Sequence, residues 1–426
     1  MKTVCVISGT ETDKKIIKAL GLNVADEGGD AVKISTLDAH LKVTSPPHFL
    51  KNYSGSMVLD LHLDSNELFD VARGVMVLVE VFLLDIECAE MFLNRSLNSP
   101  ALIQEAAAEL LKLGVKSVFI KGEHLHDPLW IHDYWTNGTH SFWLTQRRHL
   151  NTKYSETDSI FSTTVTASLA LGYSVEDALV IAKMYVHRGI RLAETDFYHG
   201  GFPEDQVDIP YLSSRPLQSA PQPFKLAPYL GLYPVVDSFA WVETLLKLGV
   251  KTIQLRIKER NKTLIEEMKR SIAVAKKYQA LLFINDYWDL ALELGAHAVH
   301  LGQEDLDNAD LEAIRQQGLL LGVSTYCYFE VARAHAISPS YIAIGPIYPT
   351  NSKKLEVEAQ GIGGLRRWRR TLNYPLVAIG GISIERARDV AATGVSGVAL
   401  ISAITEAEDP LKATKQLISL LSSVGN

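Results

Sequence analysis

Gln254, Arg256 and Lys258 are spaced two apart in TIQLRIKER, so in an extended strand they leave one side while Ile253, Leu255 and Ile257 leave the other. Two cations and an amide on one side of a strand are costly to bury without an anionic partner. A phosphate or pyrophosphate fits that need, and the competing reading is a strand whose polar side faces solvent. Asn285 and Asp286 end the next apolar run, LLFIND, and the run after it leads through His300, Gly302 and Gln303 to Asp305. One carboxylate at each of two successive strand ends suits Mg2+ held by oxygen ligands beside substrate phosphates. Asp286 alone has a simpler reading, as the cap of the helix that follows. Asp305 does not, because Asn308 and Asp310 are better placed to cap the next helix. His300 alone is weak evidence, since such histidines often only hydrogen-bond within the structure.

Further along, Ser324 closes the run GVST, and the loop GPIYPTNSKK offers Thr350, Ser352 and Lys353, two hydroxyls and an ammonium. That loop by itself reads equally well as a solvated charged tip. Gly380, Gly381 and Ser402 sit at the last two strand ends, where glycine lets backbone N–H groups approach a phosphate. The residues thus describe a cation clamp with Mg2+ on one side and a separate monophosphate cradle on the other. Two anionic substrates fit, one of them a pyrophosphate, and the reaction suggested is group transfer with pyrophosphate leaving.

These residues all stand at the ends of apolar runs. Between Leu232 and Ala403 the runs LYPVVD, TIQLRI, LLFIND, AVHLG, LGVSTY, YIAIGPI, LVAIGG and GVALISA alternate with helical stretches. Such alternation predicts a parallel sheet covered on both faces, and eight units predict a closed (β/α)8 TIM barrel, an α/β fold whose active site lies at the C-terminal strand ends. The chain has 426 residues, enough for two domains, and 47% of them are apolar, enough for full cores. A net charge of −7 argues against a nucleic-acid partner. Cys5, Cys88 and Cys327 are too scattered for a disulfide framework, which points to a reducing cytoplasm. The most apolar stretch, Val75–Leu93, is interrupted by Glu80, Asp85 and Glu87, so no membrane span is expected. The expected partners are small-molecule substrates, with room for a homo-oligomer. From Tyr198 to Gly231 periodicity disappears and six prolines intervene. The expected division is 1–213, a proline-rich linker over 214–230, and a barrel over 231–426.

QLRIK, IND followed by DLALELGAHAVHLGQED, LGVST, IGPIYPTNSK and VAIGGI, in this order and spacing, resemble thiamine phosphate synthase over Gly231–Leu421. The resemblance implies joining of hydroxymethylpyrimidine pyrophosphate to thiazole phosphate, giving thiamine monophosphate and pyrophosphate. It implies that Gln254, Arg256 and Lys258 hold the pyrimidine pyrophosphate, with Asn285 on the same substrate and Asp286 and Asp305 on its Mg2+. Ser324 would touch the pyrimidine or the departing pyrophosphate. Thr350, Ser352 and Lys353 would close over the reaction, Lys353 on the leaving group, and Gly381 and Ser402 would receive the thiazole phosphate. The chemistry implied is dissociative, with Lys258, Lys353 and Ser324 as the catalytic side chains and no nucleophile from the protein. Ser352 stands where a second threonine is usual. The related thiazole tautomerase-like branch lacks much of this clamp.

Residues 1–213 also alternate, with strands VCVIS, SMVLDL and KSVFIKG and helices near 101–113 and 160–171. The segments IQEAAAELLKLGVKSVFIKGEHL and GYSVEDALVIAKMYVHRGIR resemble hydroxymethylpyrimidine (phosphate) kinase, which implies a ribokinase-like domain. That family's Gly-Thr-Gly-Cys turn is matched here by Glu156, Thr157, Asp158 and Ser159, following Ser155. Carboxylates aimed at a developing phosphate charge oppose it, and side chains block close backbone approach. Asp158 and Ser159 read otherwise as caps of a helix. The glycine-rich loop near the start is shortened to ISGTETDKK. The expectation is a degenerate kinase domain; the alternatives are a working kinase or a pyrimidine-sensing regulatory domain.

Overall fold

The computed structural model describes residues 2–7, 11–25, 29–35, 53–61, 76–122, 127–149, 157–350 and 358–422. The chain divides into two compact units, Met1–Ala220 and Pro221–Asn426.

In the first unit the strands are β1 (Thr3–Ile7), β2 (Asn23–Ala25), β3 (Ala31–Ser35), β4 (Ser56–Leu61), β5 (Val81–Asp85), β6 (Val118–Lys121), β7 (Trp130–Thr136), β8 (Ser141–Arg147) and β9 (Tyr211–Ser213). They form one sheet in the order β2-β1-β3-β4-β5-β6-β7-β8-β9, parallel as far as β6 and antiparallel beyond it. The helices are α1 (Glu11–Ala19), α2 (Ile86–Leu93), α3 (Pro100–Leu111), α4 (Thr157–Ala170) and α5 (Val175–Arg191). SMVLDL and VFLLD are buried on both faces, which is why they show no alternation. Helix α4 is buried almost all round although rich in hydroxyls. Thr164, Thr166 and Ser168 donate to carbonyls one turn back, which satisfies those hydroxyls inside the core. Strand β9 lies within the stretch that the sequence reads as irregular; it pairs with the edge strand β8, where a short segment beside Pro210 is tolerated.

The second unit is a closed barrel of eight parallel strands in sequence order: β10 (Gly231–Val236), β11 (Thr252–Leu255), β12 (Leu281–Asn285), β13 (Ala298–Leu301), β14 (Leu320–Thr325), β15 (Tyr341–Ile344), β16 (Leu376–Ala378) and β17 (Gly397–Leu400). Pairing of Gly231 with Gly397 closes it. Its helices are α6 (Phe239–Lys247), α7 (Leu264–Lys277), α8 (Trp288–Glu293), α9 (Leu311–Gln316), α10 (Tyr328–Ile337), α11 (Gly361–Thr371), α12 (Ile384–Ala391), α13 (Ser402–Thr405) and α14 (Pro410–Ser422). Tyr233, Val235, Phe283, Tyr341, Ala343, Val377 and Ala399 pack as one inner cluster, with Ala227 and Leu230 of the preceding segment joining it. Phe224 and Ala227 also donate backbone N–H groups to Ser338 and Ser340, so the chain from Phe224 onward is part of this unit. Among the described residues no helix is long and apolar enough to cross a membrane.

Candidate active site

At the C-terminal ends of β11 to β14 the barrel gathers amide, cation, carboxylate, imidazole and hydroxyl groups. Gln254 is buried in β11 and donates to the Tyr233 hydroxyl at 3.3 Å, so it faces the lumen. A closed barrel has no edge strand, which removes the solvent-facing alternative for this element. The regular strand stops at Leu255, sooner than the sequence suggests. Arg256 continues the ladder with one bond to Val236 and is half-buried, whereas Lys258 stands exposed beyond it.

Asn285, His300, Gly322 and Tyr341 lie side by side in register across β12 to β15. Asp286 follows at φ 63°, a left-handed conformation rare for a residue with a Cβ and typical of strained functional positions. It does not cap α8. The cap position is Tyr287, and no side chain bonds there. Asp305 accepts the Gly302 N–H at 3.1 Å, and Asp310 is the residue that caps α9, through the Ala313 N–H. Asp286 and Asp305 therefore meet at neighbouring strand ends with no capping duty to explain either.

Burial, then the neighbouring Asp305 carboxylate, push the Asp286 carboxyl up to about 6, against the opposing pull of Arg256 and an Asn285 hydrogen bond. Two carboxylates forced together in this way suit a hard divalent cation. Among the described residues no group of three or more His, Cys, Asp or Glu gathers at one point. A metal held by this pair would take its remaining ligands from substrate oxygens and water, as Mg2+ does. The pair carries a stability signature of its own. Between the unfolded value near 3.8 and the folded value near 6, the folded protein holds a proton that the unfolded chain has released. That contribution is full below the lower value and lost as pH rises through the upper one. In metal-free protein, the stability of wild type relative to Asp286→Asn should fall between about pH 4 and about pH 7, by on the order of 1 kcal/mol after allowance for solvent screening. Urea unfolding of both proteins in chelator measures it, and a flat difference would show that no proton is shared.

His300 is buried, and burial first, then Arg256, hold its ring well below the usual range, at about 3. Its Nε2 lies 2.8 Å from Ser324 Oγ, and Gln303 fixes the Ser324 carbonyl at 2.7 Å. Thr350 lies on the loop after β15, while Ser352 and Lys353 lie outside the described residues. Gly381 adopts φ 64°, and a Cβ there would come within 2.5 Å of the Pro349 carbonyl oxygen, so only glycine lets the two loops meet. Ser402 is not in the eighth strand: β17 ends at Leu400, and Ser402 opens the short helix α13. The structure thus brings Gln254, Arg256, Asn285, Asp286, Asp305 and Ser324 to adjacent strand ends, with Gly381 and Ser402 after the last two strands. The sequence pattern does not single out Tyr233 and Tyr341, since tyrosine in an apolar strand reads as core. Their buried hydroxyls, each needing a partner, were the available signal.

In the first unit, Ser155 and Glu156 lie outside the described residues, and Thr157 opens α4. Asp158 and Ser159 fall inside the first turn and are not caps. Asp158 contacts Lys121 at 2.8 Å, and Lys121 also faces Asp60 at 3.5 Å. Burial would lower the Lys121 ammonium, but Asp60 and Asp158 outweigh it and hold the group firmly charged. Ser159 bonds Asp13 and Lys33 at 3.0 and 2.8 Å. Phe119, Lys121, Asp133, Asp158, Phe161 and Lys183 leave a space of about 10 Å³ between them, room for one water.

Comparison with known proteins agrees with this geometry. Residues 232–404 match the family model described as thiamine monophosphate synthase, and residues 12–205 match that of phosphomethylpyrimidine kinase. The thiamine-phosphate synthase of Proteus mirabilis is 54% identical over 194 residues, 45% of this chain and 90% of that protein. That of Photorhabdus laumondii is 54% identical over 197 residues, 46% of this chain and 91% of its own. Among solved structures, a thiamine phosphate pyrophosphorylase from Pyrococcus furiosus is 34% identical and covers 46% of this chain and 98% of its own, with a TM-score of 0.42. A pyridoxal kinase from Staphylococcus aureus is 18% identical over 50% of this chain and 98% of its own, with a TM-score of 0.43. The first unit is accordingly a ribokinase-like α/β domain of phosphomethylpyrimidine kinase type, and through its barrel the chain belongs to the thiamine monophosphate synthase family.

Proposed function

We propose that the barrel joins hydroxymethylpyrimidine pyrophosphate to thiazole phosphate, giving thiamine monophosphate and pyrophosphate. The observation that carries this reading is the Asp286–Asp305 pair beside Arg256 at adjacent strand ends, in a chain whose barrel is 54% identical to thiamine-phosphate synthases. In the reaction the bond between the pyrimidine methylene carbon and the pyrophosphate oxygen breaks, and its electron pair leaves with pyrophosphate. The thiazole nitrogen then donates its lone pair to the methylene cation, forming the new carbon–nitrogen bond. Gln254, Arg256 and Lys258 hold the pyrophosphate, and Asn285 orients the same substrate. Asp286 and Asp305 would hold Mg2+, which when bound supplies positive charge against the leaving group. Ser324 contacts the pyrimidine pyrophosphate, while Thr350, Ser352 and Lys353 cover it and place Lys353 on the departing oxygens. Gly381 and Ser402 receive the thiazole phosphate. Preorganised cations facing the charge as it develops account for catalysis without a protein nucleophile.

The cytoplasm is the proposed setting, supported by three widely spaced cysteines. The first unit is assigned no kinase step. The Asp158 carboxylate already pairs with Lys121 at the start of α4, where a phosphate group would need that cation.

The test is formation of thiamine monophosphate by the purified full chain with Mg2+ and both phosphorylated substrates, with Arg256→Ala alongside. Product that falls about a hundredfold in the variant supports the clamp. No product from wild type would sink the proposal. A second assay supplies ATP and pyrimidine monophosphate in place of the pyrophosphate. No product is expected there, and product would establish a working kinase instead.

A further inference from the structure

Five side chains cross the lumen of the barrel in one unbroken hydrogen-bonded row. Gln254 Nε2 donates to the Tyr233 hydroxyl at 3.3 Å, and that hydroxyl lies 2.9 Å from the hydroxyl of Tyr341. Tyr341 in turn lies 2.7 Å from His300 Nδ1, and His300 Nε2 lies 2.8 Å from Ser324 Oγ. Gln254, Tyr233, Tyr341 and His300 are all buried, so each donor and acceptor must be satisfied inside the row.

Counting hydrogens gives the row a direction. The Gln254 amide nitrogen can only donate, so Tyr233 accepts from it. Gln254 also reaches the Tyr341 hydroxyl, and with every buried proton of the row given an acceptor the Tyr233 proton goes to Tyr341. Tyr341, having accepted, donates to His300 Nδ1. Both ring nitrogens face hydroxyls and no carboxylate, so the ring is neutral, and with Nδ1 accepting its one N–H is at Nε2. That N–H occupies Ser324 Oγ as an acceptor, leaving the serine its proton to give elsewhere.

We infer that Tyr233, Tyr341 and His300 are positioning residues that make Ser324 a committed hydrogen-bond donor toward an acceptor atom of the pyrimidine pyrophosphate. The seat of the central ring is built into the backbone. Gly322 pairs with Tyr341 across β14 and β15, and a Cβ at Gly322 would lie 2.2 Å from the tyrosine ring. The inference rests on the proposed function for the identity of the substrate but not for the direction of the row.

Two readouts test it. Nitrogen NMR of histidine-labelled wild type, with His300 assigned by its loss in His300→Asn, should show a neutral ring protonated at Nε2. Protonation at Nδ1 would mean the row runs the other way and would overturn the inference. Kinetically, Tyr341→Phe should lower kcat/KM for the pyrimidine substrate about tenfold, the worth of one oriented hydrogen bond. Gly322→Ala, which keeps the hydroxyl but displaces its ring, should do the same. Combined with Ser324→Ala, Tyr341→Phe should add less than about twofold, because it acts through a group already removed. Losses that multiply would assign Tyr341 a purely structural part and overturn the inference. If wild type makes no thiamine phosphate, the function falls while the tautomer still decides the row.

Discussion

Asp286→Asn is expected to lower kcat/KM for thiamine monophosphate formation by at least about a thousandfold while leaving the barrel folded. The size follows from charge. A thousandfold is about 4 kcal/mol of transition-state stabilisation, within what a correctly placed metal contributes to a departing oxyanion. Asn keeps the volume and hydrogen-bonding reach of Asp but removes half the negative charge that would hold the cation. It is also the substitution that isolates charge from backbone strain. Asp286 sits at φ 63°, a conformation that Asn tolerates, whereas Ala there would add roughly 1 kcal/mol of strain. The variant should need more Mg2+ for half-maximal rate, and saturating Mg2+ should not restore kcat. The same substitution removes a repelling carboxylate, so the metal-free variant should be more stable than wild type above about pH 6 and lose activity nonetheless. Steady-state rates across a Mg2+ series, with urea unfolding of the same samples, measure both. Activity within tenfold of wild type would remove Asp286 from the metal site.

The barrel and its catalytic end were legible because both rest on local pattern. Strands buried on both faces write continuous apolar runs, and a polar residue that ends such a run has few places to go except the strand's C-terminal mouth. Gln254, Asn285, Asp286 and Ser324 were singled out in this way, and all four lie at or just beyond C-terminal strand ends. What stayed hidden depends on neighbours distant in sequence. The reach of β11 was overestimated because its alternation continues in sequence after its second ladder has ended: Arg256 keeps a bond to Val236, and Lys258 is exposed. Ser402 was read into a strand because the apolar run GVALI leads straight into it, yet the chain turns at Ile401 into a short helix. The role of Tyr341 needs three strands at once, β13, β14 and β15, and no single segment shows it.

The first unit teaches the converse. Its strands and helices were visible, and so was the loss of the Gly-Thr-Gly-Cys turn, but not what the replacing residues do. Asp158 and Ser159 looked like caps because a hydrophobic helix follows them. Helix α4 begins at Thr157, three residues earlier than expected, which turns both side chains inward against Lys121 and Lys33. A lysine in the middle of AVKIS gives no sequence signal of its partner, since Asp13 and Thr163 come from α1 and α4.

Lys33→Met should cost the first unit about 3–5 kcal/mol, the usual penalty for breaking a buried ion pair from one side. Lys33 is fully buried, and its ammonium lies 3.0 Å from Asp13, 2.8 Å from Ser159 Oγ, 3.2 Å from the Ser159 carbonyl and 2.9 Å from Thr163. One side chain thereby joins β3 to both α1 and α4. Methionine fills the same length without charge, so the loss measures electrostatics and not a cavity. The carboxylate of Asp13, almost wholly buried, then loses the cation it faces. Neutralising it as well, in Asp13→Asn/Lys33→Met, should recover at least half of the loss, because the penalty lies in the remaining charge more than in the missing bond. Hydrogen exchange followed by mass spectrometry gives the local answer. Peptides from β1, β3 and α4 should lose protection in Lys33→Met and regain much of it in the double variant. Barrel peptides should be unchanged, since the barrel packs around an inner cluster of its own. A loss below about 1 kcal/mol would show that the hydroxyls of Ser159 and Thr163 alone suffice to hold Asp13, and that the lysine is dispensable to the fold.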